Sequence, residues 1–375
     1  MCGRLQPERR RRIGLAPTGA GFIPARKSLS KRHCTAGAVF SACVPATLGP
    51  LLVDTRLRPP PALGPDRIIR LGSEAGFAGI SVSADVSEDL LKLLATEGMR
   101  ANLPVQAVAC PLSAAPLPKG KRLPHLLALD DPEERRAAMK RARETMAFAH
   151  PLGVGLYLLD LGPVPLKTPA APLRLGYARR EMDVGEPGAR ALRRALDERK
   201  ARGGAILDAI RAGLESILGE ADRRGTTVLL GMAASPWQAP TPKETEQVLG
   251  EFRGAPLRLV DAGARRAILG DLGLLGPPEV AAARRLAFAG RTGFVEIADR
   301  VGLDDGYCAT TGDFEPAAPD GIPRNAAWMV TGPLDTVFAD VLRAKTRAVE
   351  LRAKVERAAE AADRSAEGDN VSADR

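Results

Sequence analysis

Carboxylates stand at or near the ends of three short apolar segments of this 375-residue chain. Asp160 and Asp261 are the last residues of two of these segments, and Glu296 lies near the end of a third. A carboxylate can transfer a proton during catalysis, and its oxygens suit hard cations such as Mg²⁺ or Mn²⁺. If the segments are strands of one parallel barrel, their carboxyl ends meet at a common site. We therefore predict that these three acids are catalytic residues.

Three further residues are candidates for binding a substrate. Trp237 follows the fifth predicted strand and offers an aromatic face on which a sugar can stack. Arg265 follows the sixth predicted strand and can bind an anionic group, while His125 lies in a loop after Pro124. Each also has a simpler interpretation, which is loop packing for Trp237, an exposed helix start for Arg265 and an ordinary loop position for His125.

The elements that would position these residues alternate in type from residue 51 onward. Amphipathic, helix-like stretches separate eight short apolar segments, and such alternation is typical of a (β/α)₈ barrel or of an open doubly wound sheet. No GxGxxG follows the first segments and no GxxxxGK[ST] occurs, which argues against the nucleotide-binding open sheets. We therefore predict an α/β protein with a (β/α)₈ TIM barrel. The predicted strands are Leu51–Thr55, Gly79–Ser83, Pro104–Cys110, Val154–Asp160, Thr226–Gly231, Leu257–Asp261, Gly293–Ala298 and Ala326–Val330.

The predicted barrel occupies residues 51–350, between two extensions. Residues 1–50 form a basic extension that we expect to be disordered, and residues 351–375 hold the end of the last helix and a disordered tail. The net charge is +9, yet the first 33 residues carry nine basic residues against one acidic residue. Such an extension can contact phosphates without sequence selectivity, so we predict no specific nucleic-acid partner.

The uncharged run at 35–53 also bears on where the protein resides. It is rich in small residues and is broken by Pro45, Gly49 and Pro50, so we predict no transmembrane segment. Five scattered cysteines without metal-binding spacing indicate a reducing compartment. We predict a cytoplasmic protein, with export through an atypical N-terminal signal as the alternative. The sequence leaves the oligomeric state open.

Several segments resemble the xylose isomerase-like TIM barrels, in particular the sugar phosphate isomerases and epimerases. The resemblance extends from about residue 51 to 350 and rests on the order and spacing of short patterns. These patterns are AGFAGI at 75–80, DDPEER at 130–135, AFAHPLGV at 147–154, ADRRGTTVLL at 221–230, PKET at 242–245, DAG at 261–263 and VEIAD at 295–299. The resemblance implies a small sugar or keto-sugar ligand at the barrel mouth and a divalent metal held by Glu, Asp, His and Glu.

The metal ligands that this resemblance implies are largely replaced. Gly231 and Met232 stand where the Glu–Asn pair is expected, and Ala264 stands where a His is expected. Asp261 keeps the expected Asp, whereas Glu296 replaces a second His. The end of the eighth strand, Val330-Thr331-Gly332, contains no acid.

Two interpretations follow from these replacements. In the first, a rearranged site binds Mn²⁺ or Mg²⁺ through Asp261 and Glu296, with Asp299 beside them, and Asp160 assists catalysis. In the second, the chain is a pseudoenzyme, a non-catalytic barrel that has lost its metal site and binds a ligand or a partner protein. A third interpretation, a DNA-repair endonuclease of the same superfamily, would need many His, Asp and Glu ligands. Because the chain has only three histidines, we do not favour it.

Overall fold

The structure is a computed structural model that describes residues 48–57, 65–115, 122–307, 309, 322–332 and 338–373. All of these residues belong to one compact unit spanning residues 45–375. The predicted N-terminal extension therefore lies, up to residue 47, outside the described residues. Among the described residues, no helix combines the length and the apolar character needed to cross a membrane.

Eight parallel strands close into a barrel, which confirms the predicted (β/α)₈ fold. The order around the barrel is β1-β10-β7-β6-β5-β4-β3-β2, while β8 and β9 form a separate antiparallel pair. The strands are β1 Leu51–Asp54, β2 Gly79–Val82, β3 Val105–Cys110, β4 Leu156–Leu159, β5 Thr227–Gly231, β6 Leu257–Ala262, β7 Thr292–Ile297, β8 Asp299–Val301, β9 Asp304–Tyr307 and β10 Ala327–Val330.

Helices cover the outside of the barrel, and local capping sets where several of them begin. The side chain of Asp131 caps α3, and Thr241 with Glu244 forms a capping box at the start of α6. The helices are α1 Asp66–Glu74, α2 Glu88–Arg100, α3 Pro132–Ala149, α4 Ala171–Ala178, α5 Pro187–Arg224, α6 Pro242–Glu251, α7 Gly263–Asp271, α8 Pro278–Ala289 and α9 Phe338–Ala373.

Three features differ from the sequence-based prediction. The sequence at 87–98 predicts a helix whose end is marked by Gly98, whereas α2 continues to Arg100, because the left-handed residue that reverses the chain is Asn102, with φ of 55°. The last helical pattern of the sequence predicts an end at Ala362, whereas α9 continues to Ala373. The α4 and α7 helices and the β8–β9 hairpin were not predicted, because each is too short to give a clear periodic pattern.

Apolar side chains fill the barrel and the space between the strands and the helices. Successive side chains of a strand face opposite sides, so one set faces the barrel interior and the other faces the helices. This alternation decides which strand-end residues reach the site. The interior set consists of Leu52, Ala107, Leu229, Val260, Phe294, Ala327 and Met329, with Leu156 and Leu158 packed against it.

Candidate functional site

A cavity of about 920 Å³ opens at the carboxyl ends of the barrel strands. Its floor is apolar and includes Leu158, Leu229, Val260 and Met329, which also belong to or pack against the barrel interior. Its walls are polar. Among the described residues, the charged groups that line it are five acids and two arginines, namely Asp54, Asp85, Asp160, Glu296, Asp305, Arg56 and Arg265.

The alternation along the strands places three of these acids at the mouth. Leu52, Leu158 and Phe294 face or pack against the barrel interior. The residue two positions further along each chain segment faces the same side. Asp54, Asp160 and Glu296 are therefore directed into the cavity, which all three line.

Arg56 joins two of these acids. Its Nε donates to Asp54 Oδ2 at 2.5 Å, and its Nη2 donates to Glu296 Oε1 at 3.1 Å. Asp54 Oδ2 also accepts a hydrogen bond from Thr331 Oγ1 at 2.6 Å. Burial acts to lower the pKa of Arg56, but the charges of Asp54 and Glu296 outweigh it and the pKa is raised. Arg56 therefore stays a cation at every pH the protein experiences.

Arg265, from the start of α7, reaches the same glutamate from the other side. Its Nη2 lies 3.9 Å from Glu296 Oε2, and its Nε donates to Asp305 Oδ2 at 2.6 Å. A Cβ placed on Gly231 would lie 3.0 Å from Arg265 Nη1, so glycine at the end of β5 leaves room for this guanidinium. Burial acts to lower the pKa of Arg265, but Glu296 and Asp305 outweigh it and raise the pKa.

Three of the predicted site residues line this cavity, namely Asp160, Glu296 and Arg265. Asp160 Oδ1 accepts a hydrogen bond from the backbone N–H of Gly162 at 2.8 Å, which orients its carboxylate at the end of β4. Arg265 is bound to carboxylates of the chain itself, so the structure assigns it a role in holding Glu296 and Asp305.

Asp261 and Asp299 are not among the described residues that line the cavity. Val260 faces the barrel interior, so the next residue, Asp261, faces the helix layer, where it forms an ion pair with Arg266 of α7. Asp299 is buried at the start of the β8–β9 hairpin, and its carboxylate accepts a hydrogen bond from the backbone N–H of Arg300 at 3.0 Å. Alternation therefore directs Asp261 away from the mouth, and its predicted site role stays a prediction.

Trp237 and His125 are also absent from the described cavity lining. Trp237 packs against a separate cluster that contains Leu173 and Ile268, and its Nε1 donates to the carbonyl of Thr168 at 2.7 Å. His125 packs against Gly162, close to Asp160. Burial lowers the pKa of His125, and the nearby charge of Arg122 lowers it further. The structure therefore supports the packing interpretation for Trp237.

Sequence reasoning missed four of the charged residues that line the cavity, namely Asp54, Arg56, Asp85 and Asp305. The end of β1 was predicted within one residue, so the strand-end criterion that selected Asp160 would also have selected Asp54. Arg56 follows it in a single 3₁₀ turn, Thr55–Leu57, that no periodic pattern predicts. Asp305 comes from the unpredicted hairpin and reaches the site through its contact with Arg265, which is 40 residues away in the chain.

The residues of the mouth do not fit a divalent cation. Both oxygens of Glu296 face guanidinium groups, and a cation bound to Glu296 would meet the charges of Arg56 and Arg265. Within the part of the chain that the structure describes, no group of three or more His, Cys, Asp or Glu side chains is placed to hold a metal ion. The structure therefore does not assemble the predicted Mn²⁺ or Mg²⁺ set of Asp261, Glu296 and Asp299.

Comparison with known proteins finds similar solved structures but no match by sequence. No protein-family model matches the sequence, and a search of curated proteins gives no match. The barrel is similar to 3-keto-D-glucoside 4-epimerase from E. coli, with 13% identity and a TM-score of 0.53, over 81% of this chain and 99% of that one. It is also similar to D-allulose 3-epimerase from Methylomonas sp., with 14% identity and a TM-score of 0.52, over 82% and 98% of the two chains.

A D-tagatose 3-epimerase-like protein gives a TM-score of 0.54 at 12% identity, over 82% of this chain and 98% of that one. At these identities the likeness establishes the fold and leaves the activity open. The fold is that of a (β/α)₈ TIM barrel, as predicted, and the solved structures to which it is similar carry the names of sugar epimerases and of a xylose isomerase.

Proposed function

We propose that the chain binds a small sugar or keto-sugar at the barrel mouth and isomerises or epimerises it. The observation that carries this proposal is the position of Glu296 and Asp160 in a cavity of about 920 Å³ at the carboxyl end of the barrel. Active sites of (β/α)₈ enzymes lie at this end. The names of the similar solved structures, such as D-allulose 3-epimerase and L-ribulose 3-epimerase, support the same class of ligand.

The charge of the cavity favours a neutral polyol over a sugar phosphate. The described lining residues include five acids and two arginines, and each arginine is bound to carboxylates of the chain. A phosphate would meet this negative field, whereas sugar hydroxyl groups can donate hydrogen bonds to the carboxylates. We therefore assign the ligand to the unphosphorylated sugars and keto-sugars.

The proposed chemistry is proton transfer at a carbon next to a carbonyl group. Glu296 or Asp160 removes a proton from that carbon, and the electron pair of the broken C–H bond moves toward the carbonyl to give an enediolate. In an epimerisation, the other of these two carboxyl groups, in its protonated form, gives a proton to the opposite face of the same carbon, so the pair exchanges protonation states. In an isomerisation, the base gives its proton to the neighbouring carbon, and a hydroxyl proton moves between the two oxygens. Arg56 and Arg265 supply positive charge near the oxygen on which negative charge develops.

Proton exchange measured in D₂O tests this proposal without knowledge of the product. The wild-type chain is incubated with D-allulose, D-tagatose or D-fructose, and NMR follows deuterium incorporation next to the carbonyl. Glu296→Gln is expected to slow exchange by about 100-fold or more, the usual contribution of a general base. Glu279→Gln, on the exposed start of α8, is the matched control and should leave the rate unchanged. Equal exchange in wild type and Glu296→Gln would remove Glu296 from the reaction.

The alternative function is a barrel that binds a ligand without turning it over. It is favoured by Gly231 and by the segment Val330-Thr331-Gly332, which contain no acid at the ends of two strands where the resemblance implies one. Calorimetric titration with the same three sugars separates the two functions. Binding that Glu296→Gln weakens, without deuterium incorporation in the wild type, would support the non-catalytic alternative.

A further inference from the structure

Three arginines lie together at the end of the barrel opposite the cavity. Arg258 is the second residue of β6, Arg291 directly precedes β7, and Arg253 lies in the turn between α6 and β6. Because β6 and β7 are neighbours, the backbone N–H of Leu259 donates to the carbonyl of Arg291 at 2.9 Å. We call these three residues the amino-end arginine cluster.

Close packing at the start of β7 helps to place one member of the cluster. A Cβ on Gly293 would lie 2.7 Å from the Cβ of Arg258. Any larger residue at this position would therefore displace the arginine, and glycine allows Arg258 to lie against β7. Arg258 and Arg253 are exposed, whereas Arg291 is partly buried beside them.

The charges of the cluster are not neutralised by carboxylates as those of several partly buried arginines elsewhere in the described chain are. Arg291 Nε and Nη2 are buried and have no hydrogen-bond partner among the described residues. Burial lowers the pKa of Arg291, and the charges of Arg258 and Arg253 lower it further. Glu251, which stands two residues before Arg253 in the chain, is bound by Arg211, whose Nε donates to Glu251 Oε2 at 2.7 Å.

By contrast, the partly buried arginines elsewhere in the described chain commonly bind a carboxylate. Arg199 contacts Glu244, Arg141 contacts Glu88 and Arg284 contacts Glu246. Buried donors without partners and clustered like charges both destabilise a fold. A bound anion would satisfy the donors and neutralise the charges at the same time.

We propose that the amino-end arginine cluster is a binding site for a phosphate group. Guanidinium groups bind phosphate oxygens through pairs of parallel N–H donors, and such charge-assisted bonds are stronger than neutral ones. One recessed arginine between two exposed ones suits a compact tetrahedral anion. The phosphate belongs either to a small phosphorylated molecule or to the backbone of a nucleic acid.

Titration of the full chain with three probes tests the site and separates the two sources. Calorimetry measures the binding of inorganic phosphate and pyrophosphate, and fluorescence anisotropy measures the binding of a labelled 20-nucleotide single-stranded DNA. The test variant combines Arg253→Gln with Arg258→Gln, both exposed, so that folding is preserved. The matched control is Arg143→Gln, which removes an exposed arginine from α3.

We expect the double variant to bind the effective probe at least tenfold more weakly than wild type and the control to bind it as wild type does. Loss of pyrophosphate or phosphate binding identifies a small phosphorylated ligand. A tenfold loss confined to the DNA probe identifies a nucleic-acid backbone. If no probe binds wild type, or if the double variant binds every probe as wild type does, the proposed site is wrong.

Discussion

Charged side chains lie at both ends of strands β6 and β7. The two ends differ in whether their arginines contact carboxylates of the chain. At the carboxyl end, Glu296 lies between Arg56 and Arg265, which also bind Asp54 and Asp305. At the amino end, Arg291 has two buried nitrogens without a partner within the described chain. Both arginines that line the mouth are therefore paired with carboxylates of the chain, whereas the amino end keeps guanidinium donors that the proposed phosphate would bind.

The difference shows how charge pairing can indicate what an end of a barrel binds. The mouth network pairs its two arginines and leaves an excess of carboxylates, so a ligand there can be neutral and donate hydrogen bonds to those carboxylates. The amino-end arginine cluster gains most from an ion of opposite charge. The apolar layer between them, which includes Phe294 and Leu229, keeps the two ends separate. The following predictions alter this comparison, beginning with the largest expected effect.

Phe294→Ala removes the largest side chain of the separating layer. Phe294 is fully buried in the barrel interior, so we expect a loss of about 3–5 kcal/mol in the free energy of unfolding. Urea denaturation measures the loss. The two ends of the barrel should lose stability in the same transition, because they share this layer. Val280→Ala, on an exposed position of α8, is the control. A loss below about 1 kcal/mol would show that the layer does not support the barrel.

Asp54→Asn removes the buried acid of the mouth network. Asp54 accepts hydrogen bonds from Arg56 and Thr331, so we expect the substitution to lower the free energy of unfolding by about 1.5–3 kcal/mol. Asp208→Asn removes an exposed acid that pairs with Arg211 and should cost about 0–1 kcal/mol. Equal losses in the two variants, measured by urea denaturation, would contradict the idea that the mouth network is a stabilising unit.

The pH dependence of stability tests the Arg265–Asp305 contact. Burial acts to raise the pKa of Asp305, but the charge of Arg265 outweighs it and the pKa is lowered. A carboxylate whose folded pKa is depressed stabilises the fold above its unfolded pKa of about 4, and this contribution disappears as the pH falls through the folded pKa. Wild type should therefore exceed Asp305→Asn in stability at pH 6, and the difference should narrow below about pH 4. A difference that is the same at both pH values would refute the predicted ionic contact.

Arg258→Glu gives the smallest expected effect and acts on the amino end. In phosphate-free buffer it replaces a repulsive neighbour of Arg291 with an attractive one, so stability should rise by about 0.2–1 kcal/mol. Addition of pyrophosphate should raise the melting temperature of wild type and leave that of the variant unchanged. Destabilisation by Arg258→Glu in phosphate-free buffer would mean that Arg258 does not repel Arg291.

The fold was predictable because barrel strands are buried on both faces and so appear as continuous apolar runs. All eight predicted barrel strands occur, and their ends lie within two residues of the predicted positions. Asp160 and Glu296 reach the cavity for the reason the sequence indicated, namely that they stand at the carboxyl ends of strands. Segments without a long period, such as the turn that carries Arg56 and the hairpin that carries Asp305, gave no comparable signal.

The sequence by itself determined the order of the eight barrel strands, the strand ends at Asp160 and Glu296, and the replacement of the implied metal ligands at Gly231 and Ala264. The tertiary structure decided which of those acids share a cavity, because a shift of one residue along a strand turns a side chain from the interior to the helix layer. Asp261 faces the helices for this reason. Closure of the barrel also brought Arg56 and Arg265 to either side of Glu296, a contact between distant parts of the chain that local sequence does not encode.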